Sequence, residues 1–283
     1  AIKNMVSKNQ FEKELSRIVK QILSSKKLSL LNVKNTKEDE ILSELMTKVF
    51  SHVENEDESR KNRNVEAKDV ARYIDHTALK PDTNEESITK LCKEALENEF
   101  YSVCVNGCWA DTVLQEIGNS KMVHKCAVIG FPLGAMTSNS KRFETKDLVS
   151  KGIQEIDMVI NVGFLKDGKF DRVLEDIKGV VEEANNKGAL VKVIIETCLL
   201  STEEKIQASI LVVLSKAGYI KTSTGFGSNG ATVEDVNLMY QIVRPYAKVK
   251  ASGGIRNYET AIKMIRAGAD RIGASSSIAI INP

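Results

Sequence analysis

The sequence lacks a surplus of charge of either sign. Its 283 residues include 40 lysines and arginines against 38 aspartates and glutamates, which gives a formal net charge of +2. This near-balance argues against a protein that binds nucleic acid or a membrane surface through a broad charged face. Hydrophobic residues make up 42% and charged residues 28%, which are the proportions of a soluble globular protein.

Long apolar runs are also lacking. No run approaches the roughly 20 residues that a membrane-spanning helix requires. The N-terminal residues alternate acidic and basic side chains, so they fit neither a secretory signal nor an acid-poor transit peptide. We therefore expect a soluble protein without a membrane partner.

Cysteine and histidine are too few and too scattered for a disulfide framework or a metal site. The five cysteines are Cys92, Cys104, Cys108, Cys126 and Cys198, and the three histidines are His52, His76 and His124. An odd, dispersed set of cysteines favours a reducing compartment, so we expect a cytoplasmic location. Cys104 and Cys108 have the spacing of metal ligands, but no second ligand pair accompanies them, so we expect no metal.

Residues 1–67 are predicted to form an N-terminal helical extension, because two segments carry apolar residues at helical spacing. The first stripe is Phe11, Leu15, Ile18, Val19, Ile22 and Leu23, and the second is Ile41, Leu42, Leu45, Met46, Val49, Phe50 and Val53. Thr36 and Asp39 resemble a capping box at the start of the second helix. The polar stretch from Asn55 to Asn64 predicts a solvated linker.

The two apolar stripes of the extension need a surface to cover. We expect them to dock on the main domain, residues 68–283, or on a second copy of the chain in a homo-oligomer. Recruitment of another partner or of a membrane is the less favoured interpretation.

From residue 70 onward, short β-branched runs alternate with helical segments. The runs are Tyr73–Thr77, Tyr101–Asn106, Lys125–Phe131, Glu155–Val162, Val191–Thr197, Tyr219–Gly225, Lys248–Gly254 and Arg271–Ser275. The helical segments include Glu85–Asn98, Ser138–Lys151, Phe170–Lys187, Thr202–Lys216, Thr232–Val243 and Tyr258–Ala267. Eight strand–helix units in about 210 residues predict a (β/α)8 TIM barrel. A doubly wound open sheet is the alternative, but no G-x-G-x-x-G motif follows the first run.

Charged residues alternate with apolar ones inside several predicted strands. They are Asp75, Asp157, Lys192, Glu196, Lys221 and Lys250, with Lys192 and Glu196 on one face of the fifth strand. Residues two apart share a face, so these charges face opposite to their apolar neighbours. Removing a charge from water without a compensating partner costs several kcal/mol, so the presence of these charges on central strands requires an explanation. We interpret them as an active site; a structural ion-pair network is the alternative.

Glycine-rich loops follow the last three predicted strands. They are Lys221 to Gly227, Ser252 to Arg256, and Gly273 to Ser276, which leads into a short terminal helix. Glycines let backbone N–H groups approach an anion closely, and the loops after strands 7 and 8 are the usual phosphate site of this fold. Together the three loops predict a phosphorylated substrate.

The two lysines beside these loops either bind phosphate or include a nucleophile. A free lysine titrates near about 10.4, but burial and a neighbouring ammonium both disfavour its charged form. Lys221 and Lys250, on neighbouring strands, provide such a pair. A neutral amine beside carboxylates and a phosphate site suggests Schiff-base chemistry on a sugar-phosphate carbonyl.

Seven segments carry a resemblance to a known family. They are Ile74–Thr77, Val128–Gly134, Glu155–Asn161, Lys192–Thr197, Tyr219–Gly227, Lys248–Arg256 and Arg271–Ser276. These segments closely resemble the deoxyribose-phosphate aldolase family, and the resemblance runs from about Val70 to the C-terminus. It implies a class I aldolase that reversibly cleaves 2-deoxy-D-ribose 5-phosphate to D-glyceraldehyde 3-phosphate and acetaldehyde, with no metal and no diffusible cofactor.

The resemblance also implies roles for individual residues. Lys221 matches the Schiff-base lysine, Lys250 the second lysine that perturbs it, and Asp157 the carboxylate that moves protons with a water. The implied substrate-binding residues are Asp75, Thr77, Lys192 and Thr222, and for the phosphate Gly225, Gly253, Gly254, Arg256, Ser275 and Ser276.

One matched position departs from part of the family. Some members carry a lysine where this chain has Phe226, so we expect phosphate binding to depend on backbone amides, the serines and Arg256. Two alternatives to the implied activity remain: another Schiff-base aldolase or transaldolase with a different sugar phosphate, or an inactive barrel that acts as an interaction module through its extension.

Overall fold

The fold is that of a computed structural model of the protein, which describes residue 13, residues 16–22 and residues 65–283, apart from the side chains of residues 67 and 68. Residues 16–22 are helical, as the first apolar stripe predicts. The second predicted helix, its capping box and the predicted linker lie outside the described residues.

Eight parallel strands close into a barrel, and each strand pairs with the next one in the sequence. They are β1 Ile74–Ala78, β2 Ser102–Asn106, β3 His124–Ile129, β4 Glu155–Val159, β5 Leu190–Ile194, β6 Tyr219–Lys221, β7 Lys248–Ser252 and β8 Arg271–Ala274. The barrel closes where β8 pairs with β1, with Gly273 opposite Asp75. The predicted (β/α)8 architecture is confirmed, and the open sheet is excluded.

Helices surround the strands. They are α1 Ala67–Val70, α2 Glu85–Glu97, α3 Ala110–Ile117, α4 Ser138–Lys151, α5 Val162–Lys166, α6 Phe170–Asn185, α7 Thr202–Ser215, α8 Val233–Val243, α9 Tyr258–Ala267 and α10 Ser277–Ile281. Short 3-10 turns cover Ala71–Tyr73, Gly107–Trp109 and Thr197–Leu199. None of the helices in the described residues combines the length and the apolar composition needed to cross a membrane.

Local sequence sets the ends of the main helices. The Asn84 side chain accepts a hydrogen bond from the Ser87 N–H at the start of α2. At the start of α7, Ser201 and Glu204 form a reciprocal capping box, which satisfies two backbone N–H groups. At the end of α4, Gly152 adopts a left-handed conformation with φ 115°, which glycine reaches without a steric penalty. These signals explain why the predicted helix bounds lie close to the observed ones.

Several predicted strands are too long at their C-terminal ends, most of all those that form β4, β5 and β6; β5 ends at Ile194 and not at Thr197. The run to Val162 is predicted as one strand, but β4 ends at Val159 and Val162 begins α5. The run to Gly225 is also predicted as a strand, but β6 ends at Lys221. β-branched residues continue past each strand end, so propensity alone does not mark the point where the chain leaves the sheet.

The helical extension contributes to the barrel's core. Ile18, Val19 and Ile22 are fully buried and belong to the same hydrophobic cluster as the barrel residues. Arg17 forms an ion pair of 2.6 Å with Glu203, which lies in the first turn of α7. Every residue of α7 from Ile206 to Ser215 is buried, so this helix is covered on all sides. The other residues of the first predicted stripe lie outside the described residues.

Candidate active site

The barrel interior holds an ionic cluster instead of the usual branched apolar filling. Among the residues that the structure describes, the cluster contains four cations and three carboxylates: Lys192, Lys221, Lys250, Arg271, Asp75, Glu155 and Asp157. Their side chains are at most 3% exposed. The charges predicted to face inward from β1, β4, β5, β6 and β7 therefore lie in contact with one another. They form an ion-pair network, and this network is the candidate active site.

Asp157 lies at the centre of this cluster. Its Oδ2 accepts hydrogen bonds of 2.8 Å from both Lys221 and Lys250. Its Oδ1 accepts a bond of 2.9 Å from Lys192. Lys221 is the last residue of β6, whereas Asp157 and Lys250 lie in the middle of β4 and β7. Lys221 and Lys250 are nevertheless register partners, so a reacting group on Lys221 would lie next to both Lys250 and Asp157.

A second layer of charges supports Asp157 from the N-terminal side. Lys250 lies 2.5 Å from Asp75 Oδ2, and Arg271 donates to Asp75 Oδ1 at 2.8 Å. Arg271 also donates to Glu155 at 2.6 Å, and Lys192 lies 2.5 Å from the same carboxylate oxygen. Each buried charge thus has an opposite charge within contact, which offsets the cost of removing it from water.

The cations hold the carboxylates in their charged form. Burial acts to raise the pKa of Asp157, but the ammonium groups of Lys192, Lys221 and Lys250 outweigh it and keep that pKa well below its usual range. Burial also acts to raise the pKa of Asp75, and Arg271, Lys250 and Lys192 again lower it overall. Both groups are therefore carboxylates throughout the neutral pH range.

The carboxylates in turn hold Lys250 in its charged form. Burial acts to lower the pKa of Lys250, but Asp157 and Asp75 outweigh it and raise that pKa above its usual value. The cluster as described has one more cation than carboxylate. Lys221 is the lysine of the cluster that retains slight exposure, 3% against 0% for Lys192 and Lys250.

Four residues of this site carry no signal of their own in the sequence. Arg271 and Glu155 each begin a strand, where a charged residue is commonly a solvated end and gives no signal of its own. Cys104 and Cys126 look like ordinary apolar strand residues, but both contact Asp157. Only the register between strands brings these four residues to the cluster.

The predicted phosphate loops lie together at the C-terminal ends of β6 and β7. Gly225, Gly253 and Gly254 have φ values of 88°, 86° and 77°, which a side chain would strain. A Cβ on Gly230 would lie 2.1 Å from the Gly253 carbonyl oxygen, so the two loops touch through their backbones. The buried Ser223 hydroxyl has no hydrogen-bond partner among the described residues, and it lies next to Gly253. These loops form a polar pocket in which the Ser223 hydroxyl is available for a hydrogen bond to a ligand.

Two predicted substrate-binding residues use their hydroxyl groups in hydrogen bonds to the backbone. Thr222 is fully buried, and its hydroxyl donates to Ser252 O and accepts from Ser252 N, both at 3.0 Å. The Thr77 hydroxyl donates to Asp75 O at 2.8 Å. In the structure both side chains therefore brace the strands that carry the lysines and Asp75.

Ser275 and Ser276 follow β8, Ser275 exposed and Ser276 half-buried, and Arg256 is exposed in the loop after β7. The next residue, Ser277, is fully buried and bonded at 2.8 Å to His76 Nδ1, while His76 Nε2 lies 2.8 Å from Glu94. This arrangement anchors the chain directly after the two predicted phosphate serines.

Glu196 does not share a strand face with Lys192, contrary to prediction. The strand β5 ends at Ile194, and Glu196 adopts a left-handed φ of 54°. Its buried carboxylate instead accepts bonds from the Thr224 N–H and hydroxyl. Glu196 therefore braces the glycine-rich loop after β6.

Phe226 lies where the loop after β6 turns outward. It is about half exposed, and its ring meets the Phe131 ring edge-on at a centroid distance of 5.5 Å. The pair forms an apolar wall at the mouth of the barrel. No positive charge is contributed at the position where some family members carry a lysine.

One set of side chains in the described residues has the spacing of metal ligands, but its charged neighbours would repel a metal ion. That set consists of Cys104, Cys126 and Asp157, whose ligand atoms lie within 4.8 Å of one another. Lys192 and Lys221 both contact the Asp157 carboxylate, and their charges oppose a bound cation. Cys108 is exposed and belongs to no such set in the part of the chain that the structure describes.

A cavity of about 360 Å³ opens at the opposite, N-terminal end of the barrel, lined among others by Tyr101, His124 and Glu155. In this fold the chemistry takes place at the C-terminal ends of the strands. The lysine–carboxylate cluster and the glycine-rich loops reach that end, so we place the site there and not in the cavity at the N-terminal end.

Together, the closed barrel, the lysines that share one carboxylate and the glycine-rich loops define a (β/α)8-barrel enzyme. The family described as DeoC/LacD family aldolase matches residues 70–281, and the chain belongs to this family. It is therefore an aldolase, a lyase of carbon–carbon bonds, and the predicted family resemblance is confirmed.

Individual relatives agree with the family match. The chain is 60% identical over 218 residues to a deoxyribose-phosphate aldolase of Clostridium kluyveri, a match that covers 77% of this chain and 99% of that protein. A solved aldolase named QR15 is 43% identical with a TM-score of 0.72, covering 76% of this chain and 95% of that one. The tetrameric deoxyribose phosphate aldolase of Aeropyrum pernix is 30% identical with a TM-score of 0.73, covering 80% of this chain and 94% of that one.

Proposed function

We propose that the protein is a class I aldolase that reversibly cleaves 2-deoxy-D-ribose 5-phosphate to D-glyceraldehyde 3-phosphate and acetaldehyde, as part of deoxyribose breakdown. The names of the relatives support the substrate. The observation that carries the mechanism is the position of Lys221, whose amine lies 2.8 Å from Asp157 Oδ2 while Lys250 binds the same oxygen.

Lys221 is the nucleophile in this proposal. Its Nζ attacks the aldehyde carbon of the substrate, and loss of water from the carbinolamine gives an iminium. The iminium on carbon 1 withdraws electrons from the bond between carbons 2 and 3. As the hydroxyl on carbon 3 loses its proton, this bond breaks: carbon 3 becomes the aldehyde of glyceraldehyde 3-phosphate, which leaves, and an enamine stays on Lys221. The remaining enamine is protonated on carbon, and hydrolysis of the imine releases acetaldehyde and regenerates the Lys221 amine.

Asp157 and Lys250 move protons around this intermediate together with a water. Asp157 is the nearest acceptor for the proton that Lys221 must lose, and Lys250 is the nearest ammonium donor to the same oxygen. Lys192 and Asp75 hold these two groups in place and keep their charges fixed. The three residues that contact the reacting atoms would thus be Lys221, Lys250 and Asp157.

The phosphate would bind at the glycine-rich loops. Backbone N–H groups at Gly225, Gly253 and Gly254 would contact its oxygens, and Ser223, Ser275 and Ser276 would supply hydroxyl groups. Of these, the Ser223 hydroxyl is buried without a partner among the described residues, which supports a ligand at this place. Arg256 would be the cation that pairs with the phosphate from the rim.

Trapping with borohydride tests this mechanism. Full-length protein, treated with acetaldehyde or 2-deoxyribose 5-phosphate and then with sodium borohydride, should gain the mass of one reduced adduct. Peptide mapping should place the adduct on Lys221, because borohydride fixes the iminium to the lysine that formed it. An adduct confined to a different lysine would end the assignment.

A parallel assay distinguishes this activity from that of other sugar-phosphate aldolases and from an inactive barrel. Activity should persist in EDTA, since no step uses a metal. Turnover of 2-deoxyribose 5-phosphate should exceed that of other sugar phosphates measured side by side; a higher rate with another of them would favour a different Schiff-base aldolase or transaldolase. No turnover of any of them would favour an interaction module.

We also propose a cytoplasmic location and assembly into a homo-oligomer. The five cysteines all lie in the described residues and none forms a disulfide, which supports a reducing compartment. The tetrameric relative from Aeropyrum pernix supports assembly of several copies.

We propose that residues 1–67 form a structural extension of a barrel domain that spans residues 68–283. The family match begins at residue 70, and the relative from Clostridium kluyveri is covered over 99% of its length without a counterpart of the extension. The burial of Ile18, Val19 and Ile22 supports docking on the barrel.

Deletion of residues 1–64 should lower the thermal midpoint without removing the chemistry. Burial of an aliphatic side chain stabilises by about 2 kcal/mol, so losing three should lower the Tm by roughly 10 °C or more. The cut keeps Val65, whose carbonyl accepts a 2.7 Å bond from Tyr258. Thermal unfolding, light scattering and kcat of both chains would be compared. An unchanged Tm with an unchanged oligomeric state would show that the extension is not docked.

A further inference from the structure

Two cysteines in the barrel interior have no part in the proposed reaction. Cys104 in β2 and Cys126 in β3 are register partners on neighbouring parallel strands, and both are fully buried. Their Sγ atoms and a carboxylate oxygen of Asp157 all lie within 4.8 Å of one another. The two thiols therefore lie side by side next to the carboxylate that Lys221 and Lys250 share.

The spacing of the two strands permits a bond between these thiols. Neighbouring strands lie about 4.8 Å apart, which falls within the range of about 4.4–6.8 Å between the Cα atoms of a disulfide. Rotation of the side chains can therefore join the sulfur atoms without moving the strands. The spacing lies near the short end of that range, and a disulfide with such geometry is strained and easily reduced.

The surroundings give the two thiols different characters. The neighbouring Cys126 thiol lowers the pKa of Cys104, assisted by the charges of Lys250 and Lys221 and opposed by burial and Asp157. Burial raises the pKa of Cys126 well above its usual value. Cys104 is thus the more easily ionised thiol of the pair, and thiolate is the form that reacts with oxidants.

We propose that Cys104 and Cys126 form a reversible disulfide on exposure to hydrogen peroxide, and that this disulfide lowers the aldolase activity. The Cys104 thiolate attacks peroxide: an S–O bond forms, the O–O bond breaks, and the departing hydroxide takes up a proton as water. Cys126 then attacks the sulfenic sulfur: the S–S bond forms, the S–O bond breaks, and a second water leaves with the Cys126 proton. Two thiols and one peroxide give one disulfide and two waters.

The oxidant can reach the pair by the substrate's route. The sugar phosphate must reach Lys221, whose amine contacts Asp157 Oδ2, and the Cys104 Sγ lies 3.9 Å from that same oxygen. Peroxide is far smaller than a sugar phosphate. A path that admits the substrate therefore brings peroxide within contact of Cys104.

The disulfide would disturb the carboxylate at the centre of the site. Cys126 donates to Asp157 Oδ1 at 3.2 Å, and its Sγ lies 3.4 Å from the Lys192 amine. Oxidation removes the thiol proton and draws the sulfur toward Cys104. Asp157 loses the hydrogen bonds from both thiols, and displacements on the ångström scale at a catalytic group cost activity severely.

The remaining cysteines do not form a comparable pair. Cys108 is exposed, and Cys198 is half-buried with its sulfur 3.8 Å from the Glu196 carboxylate. Burial, with Glu116 nearby, raises the pKa of Cys92 to about 12, so this thiol is poorly ionised. Cys108→Ser is therefore a suitable control, since its side chain lies outside the ionic cluster.

The experiment uses full-length protein treated with a small excess of hydrogen peroxide under non-reducing conditions. Intact mass should fall by about 2 Da, and peptide mapping should show a Cys104–Cys126 cross-link. Turnover should fall about tenfold and return on addition of dithiothreitol. Cys104→Ser and Cys126→Ser, each compared with its own untreated rate, should show neither the cross-link nor the reversible loss, whereas Cys108→Ser should behave as the parent.

Several outcomes would overturn the proposal. They are a cross-link without loss of turnover, a loss that dithiothreitol does not reverse, and a reversible loss that persists in both Cys104→Ser and Cys126→Ser. The access route of peroxide and the activity readout rest on the proposed aldolase function, whereas the geometry of the two thiols does not. The cross-link is measured by mass without substrate, so a protein that never turns over deoxyribose phosphate would refute that function, while the mass measurement would still show whether the disulfide forms.

Discussion

Replacing Lys221 by methionine should lower turnover of 2-deoxyribose 5-phosphate by about four orders of magnitude or more, since loss of a covalent nucleophile removes the whole route and not one interaction. Methionine retains most of the volume of the lysine side chain but has no amine. The variant should also give no adduct with acetaldehyde and borohydride. Steady-state kinetics and intact mass measure the two effects.

The same variant should keep its fold, for a reason that lies in the ionic cluster. Removing Lys221 leaves Asp157 with hydrogen bonds from Lys192 and Lys250, so no buried carboxylate loses its last partner. The described cluster then holds equal numbers of cations and carboxylates. A Tm close to that of the parent is expected, measured by thermal unfolding. A Lys221→Met protein that is folded and still active would require a different nucleophile.

The kinetic control is the matched arginine variant. Lys221→Arg keeps a positive charge beside Asp157, but a guanidinium does not form the imine because it stays protonated. It should therefore be as inactive as Lys221→Met. If arginine restored turnover, Lys221 would act through its charge and not through a covalent bond.

Most of the barrel could be predicted from the sequence, because each strand and helix has its own local pattern. The alternation of charged and apolar residues around Asp157, Lys221 and Lys250 is enough to place these three charges inside the barrel. Parity along one strand is a local property, so a single sequence reveals it.

The remaining part of the site depends on contacts between strands. Arg271 and Glu155 join the cluster through the closed barrel, and nothing in their own neighbourhoods predicts it. The pairing of Cys104 with Cys126 follows from the register of β2 and β3. The prediction for Glu196 is wrong because its left-handed backbone ends the strand pattern without a glycine. Register and backbone reversals of this kind are tertiary properties, and propensity does not encode them.

Replacing Lys250 by leucine should shift the ascending limb of the pH–rate profile to higher pH. With Lys250 present, the described cluster has one cation more than it has carboxylates. Release of a proton by one lysine therefore balances its charges. Without Lys250 the charges balance while Lys221 remains an ammonium. A neighbouring charge of this kind moves a titration by about one to three pH units, so the limb should move up by at least one unit.

Turnover at neutral pH should fall with this shift, by roughly tenfold for each pH unit. Raising the pH should restore part of the lost rate. The variant should still fold, since Asp75 retains Arg271 and Asp157 retains Lys192 and Lys221. A far larger loss that no pH restores would show that Lys250 acts mainly as a proton donor.

Lys250→Arg separates charge from shape at this position. Arginine keeps the number of cations, so the ascending limb should stay near its parental pH. Its planar guanidinium is larger than an ammonium and holds its proton permanently, so it cannot deliver that proton to the intermediate. Lys250→Arg should therefore show a parental pH profile with a reduced maximum rate, whereas Lys250→Leu shows a displaced profile. If the leucine variant instead kept the parental profile, Lys250 would not be coupled to Lys221, and the excess of cations around Asp157 would have no part in freeing the nucleophile.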